Sequence, residues 1–208
     1  DFEKVREITS KALEYLPQEP QFYYYLGAVN FQEKKYKEAL AVFEKGIENA
    51  RFNNPALESD FYGQIGDINY YLGNESLAFE NYDKALQLNP QNLPVLNNYS
   101  YYLSLNNRDL DRAEQMSEIT IKAEPLNPTY LDTYGWILYE QGSYVMARIY
   151  IEKAIEYETE PSAEVYEHYG DVLFKTGEEE EAIEQWKRAR DLGGDSKDLK
   201  RKIRRGKL

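Results

Sequence analysis

Apolar residues recur three and four positions apart along the whole chain, and nearly the same set returns about every 35 residues. The clearest copy is residues 128–161, PTYLDTYGWILYEQGSYVMARIYIEKAIEYETEP. Apolar residues at this spacing predict amphipathic helices, and Gly142 separates two of them. A pair of short helices cannot bury its apolar face alone, so a period of this length predicts a stack of helix–turn–helix units.

Two series of small residues and one series of bulky residues mark the repeat. Small residues let two helices approach closely, and a bulky residue fills the adjoining gap as a packing knob. The bulky residue is replaced by Ser117 in the third unit. The first small series is Gly27, Gly66, Ser100, Gly135 and Gly170, the second is Ala39, Ala78, Ala113, Ala147 and Ala182, and the knobs are Phe43, Tyr82, Ile151 and Trp186.

Turn-forming residues agree with this division. All eight prolines fall between the proposed units or in the first helical turn after them, where a missing N–H costs little. Gly73, Gly142, Gly177 and Asn107 fall at the turn inside a unit, where a left-handed residue ends a helix. The pattern predicts helices over 2–16, 20–33, 36–50, 56–72, 75–88, 93–105, 109–124, 128–141, 144–157, 163–176, 179–192 and 196–205.

Residues 51–59 contain about five more residues than the other inter-repeat connections. A longer loop or an extended helix is the favoured interpretation. The alternative is a protrusion that adjusts the pitch of the stack or contacts a partner.

The pattern resembles the tetratricopeptide repeat family. The resemblance implies an all-α solenoid with a right-handed superhelix, treated as a single domain over 1–208. Its parts would be the second helix of a partial repeat (1–17), five full repeats (20–53, 59–92, 93–127, 128–161 and 163–195) and a capping helix (196–208). In the second full unit the resemblance is carried by Tyr62, Ile65, Gly66, Asn69, Ala78, Tyr82, Ala85 and Pro90.

Composition narrows the class of partner. A hydrophobic content of 42% excludes a disordered acidic polymer, and 20 tyrosines suit half-buried helix faces and binding surfaces alike. The net charge of −12 argues against nucleic-acid binding, which needs clustered Lys and Arg. Residues 196–208 carry +6, which leaves −18 for residues 1–195. An acidic body of this kind attracts cationic partners.

No catalytic, metal or cofactor site is predicted, and the chain is not expected to be an enzyme. Cysteine is absent, which excludes thiolate nucleophiles and cysteine-based zinc sites. The single histidine, His168, has Glu164 and Asp171 as helical neighbours, but an acid–base role also needs a nucleophile. A surface or core-edge role is therefore favoured for it. The carboxylates show no EF-hand spacing.

The family resemblance also implies a concave groove lined by the first helix of each repeat. The corresponding residues are rich in aromatic rings, and their charges are almost all acidic. A carboxylate ligand is therefore disfavoured, and a peptide segment with aromatic, proline or basic residues is expected. The alternative for several tyrosines is packing between repeats. The predicted groove residues are Tyr24, Phe31, Asp67, Tyr70, Asn97, Tyr101, Asp132, Trp136, Tyr139, Glu167, Asp171 and Phe174.

The resulting hypothesis is a non-catalytic scaffold for protein–protein interaction. Two alternatives stay open: weak self-association end to end through the termini, and an accessory domain of a larger envelope protein. The chain begins inside a helical pattern, so a fragment of a longer protein is expected. No apolar run approaches the roughly 20 residues that span a bilayer. Units such as NNYSYYLSLNNRDLDRA resemble long bacterial repeat proteins, which favours the periplasm or outer membrane over the cytoplasm.

The basic tail, residues 196–208, has two interpretations. Leu199 and Ile203 lie four residues apart on one helical face, which favours a cap over the open end of the last repeat. The alternative is a basic arm that contacts acidic lipid headgroups or a neighbouring groove.

Overall fold

A computed structural model describes residues 1–50 and 54–208. This part of the chain consists of helices joined by short turns, without strands. Each predicted helix is present and ends within one residue of the predicted bounds, so the all-α prediction is confirmed. The helices are α1 (Phe2–Tyr15), α2 (Pro20–Gln32), α3 (Tyr36–Ala50), α4 (Pro55–Tyr71), α5 (Glu75–Leu88), α6 (Leu93–Leu105), α7 (Leu110–Ala123), α8 (Pro128–Glu140), α9 (Tyr144–Tyr157), α10 (Ala163–Thr176), α11 (Glu179–Asp191) and α12 (Lys197–Arg205).

The helices form two compact units, Asp1–Asn98 and Tyr99–Leu208, with the boundary inside α6. In the first unit each of α1 to α5 packs against its neighbours in sequence, and α2 also contacts α4. In the second unit α7 to α12 pack in the same consecutive way, and α8 also contacts α10. Within each unit the core therefore lies between successive helices, as expected for stacked pairs.

The predicted knobs are completely buried and fill the space beside their small partners. A Cβ atom added at any of four glycines would lie closer than 3.0 Å to the knob of the same helix pair, so only glycine allows the observed approach. The four pairs, with the distance from such a Cβ to the nearest knob atom, are Gly27 with Phe43 (2.4 Å), Gly66 with Tyr82 (2.6 Å), Gly135 with Ile151 (2.6 Å) and Gly170 with Trp186 (2.4 Å).

The turns inside the units adopt the predicted left-handed conformation. Gly73, Gly142 and Gly177 have φ values of 79°, 81° and 99°, and Asn107 has a φ of 48°. In the first full repeat (20–53) the turn residue is Lys34, at a φ of 60°. The sequence pattern did not indicate this residue. These residues end the first helix of each pair and let the second fold back.

The irregular segment near 51–59 is partly described. Residues 51–53, on which the prediction of a loop or protrusion also falls, lie outside the described residues. Asn54 caps α4 by accepting a hydrogen bond from the Leu57 backbone N–H at 3.0 Å, and Pro55 begins the helix. Residues 55–59 therefore extend the helix.

The last helix, α12, covers α11 through one apolar side chain. Leu199 is fully buried and packs in a cluster with Trp186 and Ala189, while Ile203 is partly buried beside it. Ser196 caps the helix, because its Oγ accepts a hydrogen bond from the Leu199 N–H at 2.9 Å. Among the described residues, no helix combines the length and apolar character needed to cross a membrane.

The glycine–knob contact predicts a specific coupling between Gly27 and Phe43. Gly27→Ala should lower the free energy of unfolding by about 1–2 kcal/mol, because overpacking outweighs the gain in helix propensity. In the double variant with Phe43→Leu the loss should be smaller than the sum of the two single losses by at least about 0.5 kcal/mol. Urea unfolding followed by circular dichroism measures all four proteins. Additive losses would contradict the contact.

Candidate functional site

In the first unit, two of the five predicted groove residues line a shared cavity. Tyr24 and Asp67 border a space of about 200 Å³ that also receives Asp60 and Asn98. Tyr24 is half-buried, and its ring packs edge-on against Phe61 with the ring centroids 5.6 Å apart. Tyr24 therefore contributes to the core as well as to the surface, which is the alternative considered for these tyrosines.

The Asp67 carboxylate is buried and holds internal hydrogen bonds. Tyr82 Oη donates to Asp67 Oδ1 at 2.5 Å, and Asn98 Nδ2 donates to both carboxylate oxygens at 3.1 and 3.2 Å. Burial raises the pKa of Asp67 to about 6, although the hydrogen bonds from Tyr82 and Asn98 oppose this shift. Through these hydrogen bonds Asp67 links α4 and α5, the two helices of its own repeat, to the next helix, α6.

The other three predicted residues of the first unit do not border this cavity. Phe31 belongs to a separate aromatic cluster, in which it lies 5.8 Å from Tyr36 and 5.7 Å from Tyr71 between ring centroids. Tyr70 is half-buried and Asn97 is buried. The first unit thus brings together only part of the predicted groove.

The second unit brings together five of its seven predicted residues around a cavity of about 500 Å³. The five are Tyr101, Trp136, Tyr139, Glu167 and Asp171. Of the remaining two, Asp132 lines a neighbouring cavity of about 260 Å³, and Phe174 packs on Trp186 at 5.8 Å. The larger cavity is also lined by Leu105, Glu140, Glu164, His168, Lys175, Ser196, Asp198, Arg201, Lys202 and Leu208.

Trp136 stands at the centre of an aromatic stack. Its ring lies 4.1 Å from the His168 ring and 4.7 Å from the Tyr139 ring, with interplanar angles of 20° and 14°. These contacts occupy ring area that an incoming cation would need. Its Nε1 is buried and has no hydrogen-bond partner among the described residues. A buried N–H without a partner is costly, and a ligand oxygen reaches it only if the surrounding side chains move.

His168 is buried and faces the Asp132 carboxylate. Its Nδ1 lies 3.1 and 3.0 Å from the two carboxylate oxygens. Burial lowers the pKa of His168, but the charge of Asp132 and its hydrogen bond, with Glu164 and Asp171, raise the pKa above its usual value. The His168 ring that stacks on Trp136 is therefore held in place by its contact with the Asp132 carboxylate, which joins α10 to α8.

Tyr101 connects α6 to α10 across the second unit. Its hydroxyl donates a hydrogen bond to Glu164 Oε1, and its ring lies 6.2 Å from the His168 ring. Burial raises the pKa of the Tyr101 phenol strongly, and Glu164 raises it further. The phenol therefore stays protonated and acts as a donor at one edge of the cavity.

Asp171 is buried between its own repeat and α12. Trp186 Nε1 donates to Asp171 Oδ1 at 2.8 Å, and Lys202 Nζ donates to Asp171 Oδ2 at 2.7 Å. The same ammonium donates to Glu167 Oε1 at 2.9 Å. Burial raises the pKa of Asp171, while Lys202 lowers it. Much of the acidity predicted for this surface is thus neutralised from within the chain.

Sequence reasoning missed His168 and Lys202 as members of this surface. They are the sixth residues of α10 and α12, and Asn98 is the sixth residue of α6. Each contacts an acid of the preceding helix pair, 31 residues earlier for Asn98 and Lys202 and 36 residues earlier for His168. This recurring spacing was the sequence signal that could have placed His168 and Lys202 on this surface. In the described part of the chain, no three His, Cys, Asp or Glu side chains converge to hold a metal ion.

The His168–Asp132 pair predicts a titration that can be observed directly. Because the folded pKa is raised above about 6.5, the stability that His168 contributes is complete below that value and is lost as pH rises through the folded pKa. Asp132→Asn should lower the His168 pKa, since burial is then opposed only by Glu164 and Asp171. The single histidine gives one titrating Hε1 resonance in ¹H NMR. Asp111→Asn, an exposed acid on α7, is the control and should not move it.

Tetratricopeptide repeat models match residues 7–54, 59–92 and 81–115, which together cover about half of the chain. The TPR repeat-containing protein MJ1428 of Methanocaldococcus jannaschii is 41% identical over 70 residues. The match covers 34% of this chain and 11% of that protein, so the chain spans only a small part of this relative.

Solved structures share the same fold. The Cut9–Hcn1 hetero-tetramer of APC/C matches with a TM-score of 0.85 at 14% identity, covering 99% of this chain and 40% of that one. PilF of Pseudomonas aeruginosa matches with a TM-score of 0.71 at 20% identity, covering 91% and 87% of the two chains. Yeast Tom70 matches at 0.67 and 19% identity, covering 97% and 42%. The repeat models and the fold agree, and the chain belongs to the tetratricopeptide repeat family.

Proposed function

We propose that this chain binds a partner segment with basic or aromatic residues on the aromatic, acidic surface of its second unit. The tetratricopeptide fold indicates a scaffold for protein–protein interaction. The proposal narrows this role to one surface and one class of partner.

The observation that carries the proposal is the cavity of about 500 Å³ around Tyr101, Trp136 and Tyr139. Its volume lies in the range of sites that enclose a side chain or a small ligand, roughly 300–1,000 Å³. Tyr and Trp supply large contact areas with little loss of conformational entropy, which suits them to binding surfaces. The aromatic residues on this surface converge, whereas those of the first unit are divided between a cavity and a separate cluster.

Charge favours a basic ligand at this surface. Glu140 and Glu164 line the cavity together with Lys175. Lys202 pairs with two other acids, Glu167 and Asp171. Burial and the charge of Asp171 raise the pKa of Glu140, while the charges of His168 and Lys175 lower it, so a further cation beside Glu140 would stabilise its ionised form.

The proposal predicts that the aromatic residues determine affinity. Peptides of equal length that are basic and aromatic should bind the chain more tightly than acidic or purely aliphatic ones in fluorescence anisotropy. Replacing Tyr101 and Trp136 with Ala should weaken binding at least tenfold, because each truncated aromatic anchor costs about 1–2 kcal/mol.

The matched control for this prediction is Tyr157→Ala. Tyr157 lies on α9, away from the cavity, and is 37% exposed. Its replacement should leave affinity unchanged. Circular dichroism confirms that each variant keeps its helicity. Equal binding by the wild type and the double variant would refute the aromatic surface as the binding site.

A second candidate function, self-association, is supported by α1. Its outer face exposes large apolar side chains, including Ile8 at 56% and Tyr15 at 74%. Apolar residues grouped on one exposed helix face commonly mark an interaction site. A second copy of the chain is one partner that would cover this face.

Self-association through α1 predicts a concentration-dependent mass in light scattering. Ile8→Glu should shift the chain toward monomer, because the carboxylate would have to be buried in the contact. Val145→Glu is the control, since Val145 is 69% exposed on α9 and lies outside α1. A wild type that is monomeric at every concentration, or equal effects of the two variants, would contradict the candidate.

A further inference from the structure

The C-terminal helix α12 has two chemically distinct faces. Leu199, Lys202 and Ile203 point toward the repeats, with Leu199 fully buried and Lys202 only 5% exposed. The outward residues of α12 are mostly cations, and all of them are exposed. These cations are Lys197, Lys200, Arg201, Arg204 and Arg205.

The surface beneath α12 is a socket with an apolar part and an acidic part. Leu199 enters the apolar part beside Trp186 and Ala189. Three residues further on, the Lys202 ammonium reaches the acidic part, at 2.7 Å from Asp171 Oδ2 and 2.9 Å from Glu167 Oε1. The socket therefore fits a helix that presents a leucine and a lysine three residues apart on one face.

Several features indicate that α12 is held only weakly in this socket. The helix has nine residues, which is too short to be stable in isolation. Leu199 is the one apolar side chain of α12 that is fully buried among the described residues. The buried ion pair adds little net stability, because desolvation offsets its attraction. Gly193, at a φ of 101°, and Gly194 form the connection to α11, and glycines allow such a connection to change conformation.

We propose that α12 is an exchangeable occupant of this socket, and that a basic amphipathic helix of a partner protein docks there in its place. The chemistry of that helix is defined by the resident one: leucine, lysine and isoleucine at successive positions i, i+3 and i+4. A foreign helix is favoured over α12 of a second copy, because the second copy would bring its own acidic body, residues 1–195 at −18, next to the acidic part of the socket. The socket adjoins the cavity proposed above, because Arg201 and Lys202 of α12 line that cavity, but the inference rests on the contacts of Leu199 and Lys202 and not on the aromatic rings.

Displacement of α12 sets the apparent affinity for the incoming helix. If the socket is free only part of the time, the apparent dissociation constant is the intrinsic one divided by the free fraction. Loosening α12 raises this fraction and tightens binding without changing the socket itself.

The test uses the full chain and a fluorescent peptide of residues 196–208 as the probe. The Lys202→Ala chain, whose own α12 is loosened, should bind the peptide at least tenfold more tightly than the wild type in anisotropy. Lys200→Ala removes the same charge from the exposed face of α12 and should bind like the wild type. Ile203→Ala is a second loosened variant, for use if Lys202→Ala loses helicity in circular dichroism.

A second set of variants tests the acidic part of the socket. Adding Glu167→Gln to the Lys202→Ala chain should abolish the gain, as should a peptide that carries Lys202→Glu. Adding Tyr101→Ala and Trp136→Ala should leave the gain intact, which separates this proposal from the aromatic surface. Equal affinity of Lys202→Ala and wild type would overturn the proposal. Dimers that form through exchanged α12 helices in light scattering would also overturn it, because the occupant would then be a second copy.

Discussion

The fold depends on the close approach of the two helices in four of its repeats, which only a glycine at the contact permits. At Gly66 and Gly170 the space of a Cβ atom is taken by the ring of Tyr82 or Trp186. The same rings continue past the glycine, and their polar ends reach an acid on the facing helix, Asp67 or Asp171. One contact thus fixes the distance between the helices and places a carboxylate at a defined point.

The carboxylate so placed joins one pair to the next helix. In the first unit Asp67 is reached by the neutral amide of Asn98, and in the second unit Asp171 is reached by the ammonium of Lys202. The imidazole of His168 plays the equivalent part toward Asp132. The same position of the repeat therefore carries three different donors. Buried acids need such partners, since an unpaired buried charge is costly. These acids serve packing first, and a ligand meets them only if an internal donor leaves.

Local pattern was sufficient to predict the helices and the knobs. Periodicity, proline and glycine act within a few residues, so α3, α5 and α9 begin and end at the residues that the sequence indicates. In the third repeat (93–127), Ser100 and Ser117 replace the glycine and the knob, so this repeat lacks the glycine–knob contact. The boundary between the two compact units lies in its first helix, α6.

The candidate surface was harder to predict from the sequence, because it depends on contacts between successive repeats. A helical pattern assigns Asp132 and Asp171 to a groove, but it does not show that residues 31 to 36 positions later neutralise them. In the sequence Lys202 belongs to a basic tail, whereas in the structure it is buried and the neighbouring Arg201 is exposed. Phe31 shared the groove register, yet its ring packs with Tyr36 and Tyr71. The position of a residue in the helical repeat predicts the face on which its side chain lies, but it does not predict which side chain that residue contacts.

Charge in the second unit is therefore organised by depth. The deepest acid, Asp171, is neutralised by Lys202, and the cations that remain on α12 face outward. Between them lies the aromatic surface around Trp136, which Glu140 borders and where Glu164 accepts a hydrogen bond from Tyr101. Long-range attraction acts on the net charge and is screened within about 8 Å at physiological ionic strength, whereas short-range selectivity depends on the groups left unpaired at contact. A basic segment would thus be attracted by the acidic body as a whole and selected by a small set of aromatic and carboxylate groups.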